Sequence, residues 1–179
     1  MKRETLPKAS MTQAPRTIVI FLITLATIAA DQATKWLAKR YLWPNGFYSY
    51  AGDTFRLQYA ENSGAFLGLG GNLPDPWRHL IFTVLVGIFL VALLVYLLRS
   101  RELTHFATVR LAFICAGGLS NLIDRVAYDG RVVDFLNVGV GPLRTGIFNI
   151  ADMAITFGAL LMLWDSFRTS RSAELSEKR

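Results

Sequence analysis

An α-helical membrane protein, with four transmembrane helices and a small extramembrane β-sheet platform between helices 1 and 2, is the fold class this sequence predicts. Three observations point to it. Of the 179 residues 53% are hydrophobic and only 18% charged, with a mean hydropathy of +0.36, which is too apolar for an ordinary soluble domain. The apolar character is gathered into separate windows, Thr17 to Ala30, His79 to Leu98, Leu111 to Ile123 and Thr145 to Trp164. Between the first two windows, Phe47 to Tyr50 and Thr54 to Tyr59 have strand character. There Phe55, Leu57 and Tyr59 alternate with Arg56 and Gln58, and Ala51-Gly52-Asp53 supplies a turn.

The first window is short for a span and reaches length only if the helix continues through Asp31 and Lys35, an acid and a base at i and i+4 that fit an intrahelical ion pair. After the strand-like pair, the run from Asn62-Ser63-Gly64-Ala65-Phe66 to Gly70-Gly71 is too rich in small residues for a rigid element. It reads either as a flexible connector or as backbone that a peptide or lipid can approach closely. The second window carries no acidic or basic residue between His79 and Arg99. At about 1.5 Å per residue it crosses a hydrocarbon core of about 30 Å. The third spans only if it takes in Thr104 to Arg110 or runs on to Asp124, and the fourth holds Asp152 in its first half.

Basic residues orient the spans. Lys2, Arg3, Lys8 and Arg16 precede the first, Arg99, Arg101 and Arg110 separate the second from the third, and Arg168, Arg171, Lys178 and Arg179 follow the fourth. The positive-inside rule then predicts cytoplasmic termini, with the regions around 35–78 and 125–144 facing outward. Trp36, Trp43, Trp77 and Trp164 fall near predicted helix ends, where an amphipathic ring favours the interface. The whole chain, 1–179, reads as one integral membrane domain with polar tails at 1–15 and 170–179, the second of them unstructured. The N-terminus has the outline of a signal peptide, but cleavage after Ala30 would remove the first span, so retention is expected. The net charge of +6 and pI near 9.8 are explained by these flanks, and no basic run interleaved with aromatics points to nucleic acid.

Familiar catalytic sets are absent from the sequence. There is no His-Glu-x-x-His motif, phosphate loop or Gly-x-Ser-x-Gly elbow, and no metal or cofactor is expected. The two histidines, His79 and His105, lie near predicted helix starts, and the sole cysteine, Cys115, beside Ala116-Gly117-Gly118, reads as a small packing residue. Carboxylates remain. Asn121, Asp124 and Arg125 share one helix face, as do Asn149 and Asp152. For Asp31 with Lys35 and Asp124 with Arg125, an ordinary structural pairing explains the charges. Asp134 and Asp152 are harder to explain that way. Asp152 has no basic neighbour in sequence, and Arg131 would point to the opposite face of an extended segment from Asp134. Gly130 and Gly141-Pro142 interrupt the chain on either side of Asp134, so it can return and bring the two acids together. Two carboxylates at close range share a proton, one able to take a proton from water while the other donates to a carbonyl oxygen. Peptide hydrolysis without metal follows as one chemistry. Proton-coupled transport is the alternative, since intramembrane acids also serve as relays, and a binding or scaffold protein without chemistry is a third.

Taken in order, Asp31-Gln32-Ala33-Thr34-Lys35, Asn62-Ser63-Gly64-Ala65-Phe66, Asn121-Leu122-Ile123-Asp124-Arg125, Val132-Val133-Asp134-Phe135 and Phe148-Asn149-Ile150-Ala151-Asp152 resemble the signature of the lipoprotein signal peptidases, or signal peptidase II. The resemblance implies an aspartic endopeptidase of the bacterial inner membrane. Its substrate would be a prolipoprotein, cut just before a diacylglyceryl-modified cysteine near the periplasmic face. It implies Asp134 and Asp152 as the catalytic pair and Asn62, Gly64, Asn121, Arg125 and Asn149 as residues lining the site. Asp31, Lys35 and Asp124 are implied as supporting residues. Membrane lipid and globomycin-type inhibitors are the further partners implied, with a monomer expected. One departure stands out. The family commonly reads Gly-Gly-Ala-Leu-Gly-Asn where this chain has Ala116-Gly117-Gly118-Leu119-Ser120-Asn121, which bears on the packing next to Asn121.

Overall fold

The computed structural model describes residues 13–42, 46–65 and 68–177. The first polar tail as far as residue 12, Trp43, and the Phe66-Leu67 pair of the glycine-rich stretch lie outside them. Helix α1 runs Gln13–Tyr41, strands β1 Phe47–Tyr50 and β2 Phe55–Asn62 follow, and a short α2, Asp75–Arg78, leads through a π-helical segment, His79–Leu85, into α3, Val86–Arg99. Helix α4 covers His105–Ala127, strands β3 Val132–Val140 and β4 Leu143–Arg144 come next, and α5, Ile150–Glu177, closes the described chain.

Among the described residues, four helices are long and apolar enough to cross a membrane: Pro15–Tyr41, Asp75–Arg99, His105–Ala127 and Ile150–Arg168. Their outward faces carry Phe21, Leu25, Ile88, Phe89, Val126, Phe157 and Leu163, all exposed. A bilayer is the solvent in which such a surface is stable. Trp36, Trp77 and Trp164 are likewise exposed, close to span ends. The third span takes both of the extensions, either of which would have given it length, running from His105 to Ala127. Thr104 opens it as an N-cap, its side chain accepting the Ala107 N–H at 3.2 Å.

Two boundaries differ from the sequence reading. The fourth helix starts at Ile150, not Thr145, because the intervening backbone is held by β3: Thr145 N–H donates to Val138 O, and Phe148 and Leu136 exchange N–H to O bonds of 2.8 Å. At the far end α5 continues helically to Glu177, through a polar stretch expected to be unstructured.

The sheet has strand order β1-β2-β3-β4, all antiparallel. Only β1 and β2 lie between the first two spans; β3 and β4 come from the connection between the third and fourth. The β2 to β3 register shifts between Leu57 and Ala60, so that Ala60 stands opposite Asp134 and Asn62 opposite Val132. That one-residue bulge decides which β3 side chains share the face of Asn62. Beneath the sheet, Phe135 and Leu136 pack on Ala38 of α1 and on Leu42 just past its end. At the opposite end of the bundle a second core joins Ile20, Leu97, Leu103, Ala107, Ala112 and Cys115. Cys115 is buried there as a packing residue.

Candidate active site

The sheet and the helix ends converge on a cavity of about 160 Å³ lined by Asn62, Ala65, Phe82, Gly118, Asn121, Arg125, Asp134, Asp152 and others. Each polar side chain reaches it for a local reason. Asp152 sits at the third position of α5, and Asn149 immediately precedes the helix as its cap. Asn149 Oδ1 accepts the Asp152 N–H at 2.9 Å, and Asp152 Oδ2 accepts the Asn149 N–H at 3.3 Å. This reciprocal pair is a capping box with Asn and Asp in place of the usual Ser/Thr and Glu. Asn149 therefore belongs to the helix start and not to a helix face. The second N–H of α5, from Ala151, is accepted by Asp31 Oδ1 at 2.8 Å, so α1 closes the start of α5 from across the bundle.

Close approach makes that contact feasible. A Cβ on Gly117 would lie 2.4 Å from Ala151 O, so α4 meets the first turn of α5 backbone to backbone only because that position is glycine. The departures from the family pattern around Asn121 are absorbed. Ala116 is fully buried without exposing its neighbours, and Ser120 donates from Oγ to Asp31 Oδ2 at 2.7 Å.

Asp134 on β3 receives two amide donors: Asn62 Nδ2 at 3.0 Å to Oδ2 and Asn149 Nδ2 at 2.6 Å to Oδ1. Asp152 receives Asn121 Nδ2 at 2.9 Å on Oδ1. Neither carboxylate touches a cationic side chain among the described residues, and each is nearly inaccessible, at 1% and 6% exposure. Burial, followed by the charge of Asp152, pushes the Asp134 carboxyl up to about 7, against the opposing pull of Asn62, Asn149 and Lys35.

The other two acids are in a different situation. Lys35 Nζ lies 2.7 Å from Asp31 Oδ2 and 2.9 Å from Asp124 Oδ2. Asp124 also accepts the Val133 N–H at 3.0 Å, which ties the end of α4 to β3 one residue before Asp134. Arg125 does not pair with Asp124. Its Nη2 donates to Gly64 O at 2.9 Å and its Nη1 to Asn121 O at 3.5 Å. The described residues of the glycine-rich stretch it holds are tied closely together, with Ala65 N–H donating to Leu69 O at 2.7 Å and Gly68 N–H to Ala65 O at 2.9 Å. Gly64 has no room for a side chain there, since a Cβ would fall 2.4 Å from Leu69 O. Its N–H is bonded to Asn62 Oδ1 at 2.8 Å, which orients the Asn62 amide toward Asp134.

Every residue given a site role in the sequence analysis thus reaches this cluster. Two that were given none reach it too. Gln32 Nε2 donates to Asp124 Oδ1 at 2.8 Å, and Ser120 links Gln32 to Asp31. A glutamine beside Asp31 in a spanning helix was the available signal. Among the described residues no group of three or more histidine, cysteine or acidic side chains forms a candidate metal site.

Fold and cluster together define a polytopic membrane protein whose polar centre is built on aspartates and asparagines. Residues 23–168 match the family described as Signal peptidase (SPase) II. The chain is 32% identical over 155 residues to the lipoprotein signal peptidase of Syntrophus aciditrophicus, covering 86% of this chain and 96% of that one. It is 38% identical over 143 residues to that of Moorella thermoacetica, covering 80% and 89%. A solved bacterial membrane enzyme, determined by the in meso method at 2.3 Å resolution, superposes with a TM-score of 0.72 at 26% identity over 84% of this chain and 88% of that one. The chain belongs to the signal peptidase II family and is a multi-pass membrane protease.

Proposed function

We propose that this chain is an aspartic endopeptidase that removes signal peptides from diacylglyceryl-modified prolipoproteins, cutting just before the lipidated cysteine, with Asp134 and Asp152 as its catalytic pair. One observation carries the reading: these two buried carboxylates line one cavity, are both bonded by Asn149, through its side-chain Nδ2 to Asp134 and its backbone N–H to Asp152, and are solvated only by amides. Asp134, whose carboxyl holds its proton to about pH 7, is the donor, and Asp152 is the ionised partner. Asp152 takes a proton from a water as that water attacks the scissile carbonyl carbon, and Asp134 gives its proton to the carbonyl oxygen. Collapse of the tetrahedral intermediate breaks the C–N bond. The proton taken by Asp152 leaves on the departing amine of the cysteine, and Asp134 recovers its own.

Asn62, Gly64, Asn121, Arg125 and Asn149 line the site, while Asp31, Lys35 and Asp124 support it. The basic flanks support a bacterial inner-membrane orientation with cytoplasmic termini and the site near the periplasmic face. The substrate then enters from the membrane as one polypeptide with its acyl chains, meets a single peptidase unit acting as a monomer, and is excluded by a globomycin-type lipopeptide in the same cavity. Incubating the purified chain with a diacylated prolipoprotein tests this. Release of the signal peptide, blocked by globomycin, is expected; intact substrate after prolonged incubation with folded protein would overturn the reading.

A further inference from the structure

Lys35 touches neither Asp134 nor Asp152, yet it is 3% exposed and fully engaged. Its ammonium donates to Asp31 Oδ2 at 2.7 Å, Asp124 Oδ2 at 2.9 Å and Asn121 Oδ1 at 2.9 Å. A lysine offers three donors and no acceptor, so whichever end of the Asn121 amide faces it has to be the oxygen. The planar amide then turns Nδ2 toward Asp152 Oδ1, at 2.9 Å. Were the amide reversed, its oxygen would stand against a carboxylate, with no proton between them. Asn149 cannot impose that choice alone. Its amide is fixed by the Asp152 N–H on one side and Asp134 on the other, and it reaches Asn121 Oδ1 at a longer 3.1 Å.

The ammonium has no room to swing. Asp31 is held by Ser120 Oγ and by the Ala151 N–H, and Asp124 by Gln32 and by the Val133 N–H. Ser120, one of the departures beside Asn121, thus adds to the lysine's seat.

We propose that Lys35 is a positioning residue that acts through Asn121, locking its amide so that a donor and not an acceptor faces Asp152. This rests on the reading of Asp134 and Asp152 as the reacting pair. The charged and titratable groups around Lys35 are Asp31 on its own helix, Asp124 and Arg125 on α4, Asp134 on β3 and Asp152 on α5. Lys35 and Arg125 are the cations nearest the pair, and the loss of Lys35 disfavours its ionised form.

The test uses the purified full chain and its turnover of diacylated prolipoprotein. For Lys35→Met, kcat is expected to fall about 30- to 100-fold with KM changed by less than about three-fold, and the acid limb of the pH–kcat profile is expected to move to higher pH. In the Asn121→Ala background the same substitution should cost no more than about three-fold further, because its target is already gone. A folded Lys35→Met with wild-type kcat and an unmoved acid limb, or losses that multiply in the double variant, would overturn the proposal. Should Lys35→Met not fold, the isosteric Asn121→Asp decides, since it keeps an oxygen for Lys35 and removes the N–H from Asp152; wild-type turnover there overturns it equally. The two readings fail separately: an active Asp152→Asn removes the catalytic pair, whereas an inactive Asp152→Asn beside a fully active Lys35→Met removes only the role of Lys35.

Discussion

The two ends of the helix bundle handle charge differently. At the end away from the sheet, Arg16 donates to the Leu98 and Ser100 carbonyls and so closes the C-terminus of α3, while Arg110 pairs with Asp165 to join α4 to α5. Charges there meet opposite charges or helix carbonyls, which is the cheap way to keep them near a membrane. At the sheet end four buried acids, Asp31, Asp124, Asp134 and Asp152, share a cluster with two buried bases, Lys35 and Arg125. Lys35 satisfies Asp31 and Asp124, and Arg125 spends its donors on Gly64 and Asn121 carbonyls. Asp134 and Asp152 are left with amides. An amide lends a partial charge without fixing the proton, so a carboxylate solvated this way stays able to give or take one. The lesson is that pairing, and not burial, separates Asp31 and Asp124 from Asp134 and Asp152, the pair proposed to react.

Breaking the paired set should give the largest stability effect. Asp124→Ala leaves Lys35 short of one buried partner and frees the Val133 N–H, and is expected to destabilise the protein by about 3–5 kcal/mol. Asp134→Asn should cost far less, which thermal unfolding of both variants in detergent would compare directly. Asn149→Ala removes both the α5 cap and a donor to Asp134. A loss of about 1–2 kcal/mol in stability and of about 10- to 100-fold in kcat is expected from unfolding and turnover assays.

The proton on Asp134 gives a pH test with a definite sign. Its folded-state value of about 7 lies above the ordinary 3.8, so the folded protein binds that proton more tightly than the unfolded chain. This group's contribution therefore favours folding at low pH and declines as pH rises from about 4 through about 7. In the proposed mechanism turnover needs the protonated form, so it should fall about ten-fold per pH unit above that value. The smallest effect belongs to the far end. Arg110→Ala should leave turnover within about two-fold of wild type, because the Arg110–Asp165 pair is partly exposed and remote from the cavity.

Much of this contrast was legible in the sequence. The spans followed from apolar windows, and the polar extensions that the first and third windows needed for length, through Lys35 in α1 and to Asp124 in α4, are where the candidate site is built. Asp134 and Asp152 stood out because Asp152 has no basic neighbour in sequence and Arg131 would point to the opposite face of an extended segment from Asp134. What sequence spacing could not reveal was long-range pairing. Asp31 and Lys35 do form the expected i,i+4 pair, but Lys35 also reaches α4, and Asp31 caps a helix 120 residues away. Arg125, adjacent to Asp124 in sequence, looked like its partner, yet the two side chains diverge to different carbonyls and a different cation. Asn149 was read as part of a helix face because its spacing to Asp152 fits both a face and a cap. Only the strand-like path of Thr145 to Phe148 along β3 decides between them. The contribution of β3 and β4 to the sheet was also hidden, since the polar residues of Val132 to Val140, Asp134 and Asn137, stand three apart and show no strand alternation.

The account is tested most directly by the rate at which purified, folded Asp134→Asn and Asp152→Asn variants cleave a diacylated prolipoprotein, measured beside Asp124→Asn. Both of the first two are expected to lose about 10³-fold or more in turnover while Asp124→Asn keeps measurable activity. Wild-type rates from either Asp134→Asn or Asp152→Asn would contradict the assignment of the amide-solvated pair as the reacting one.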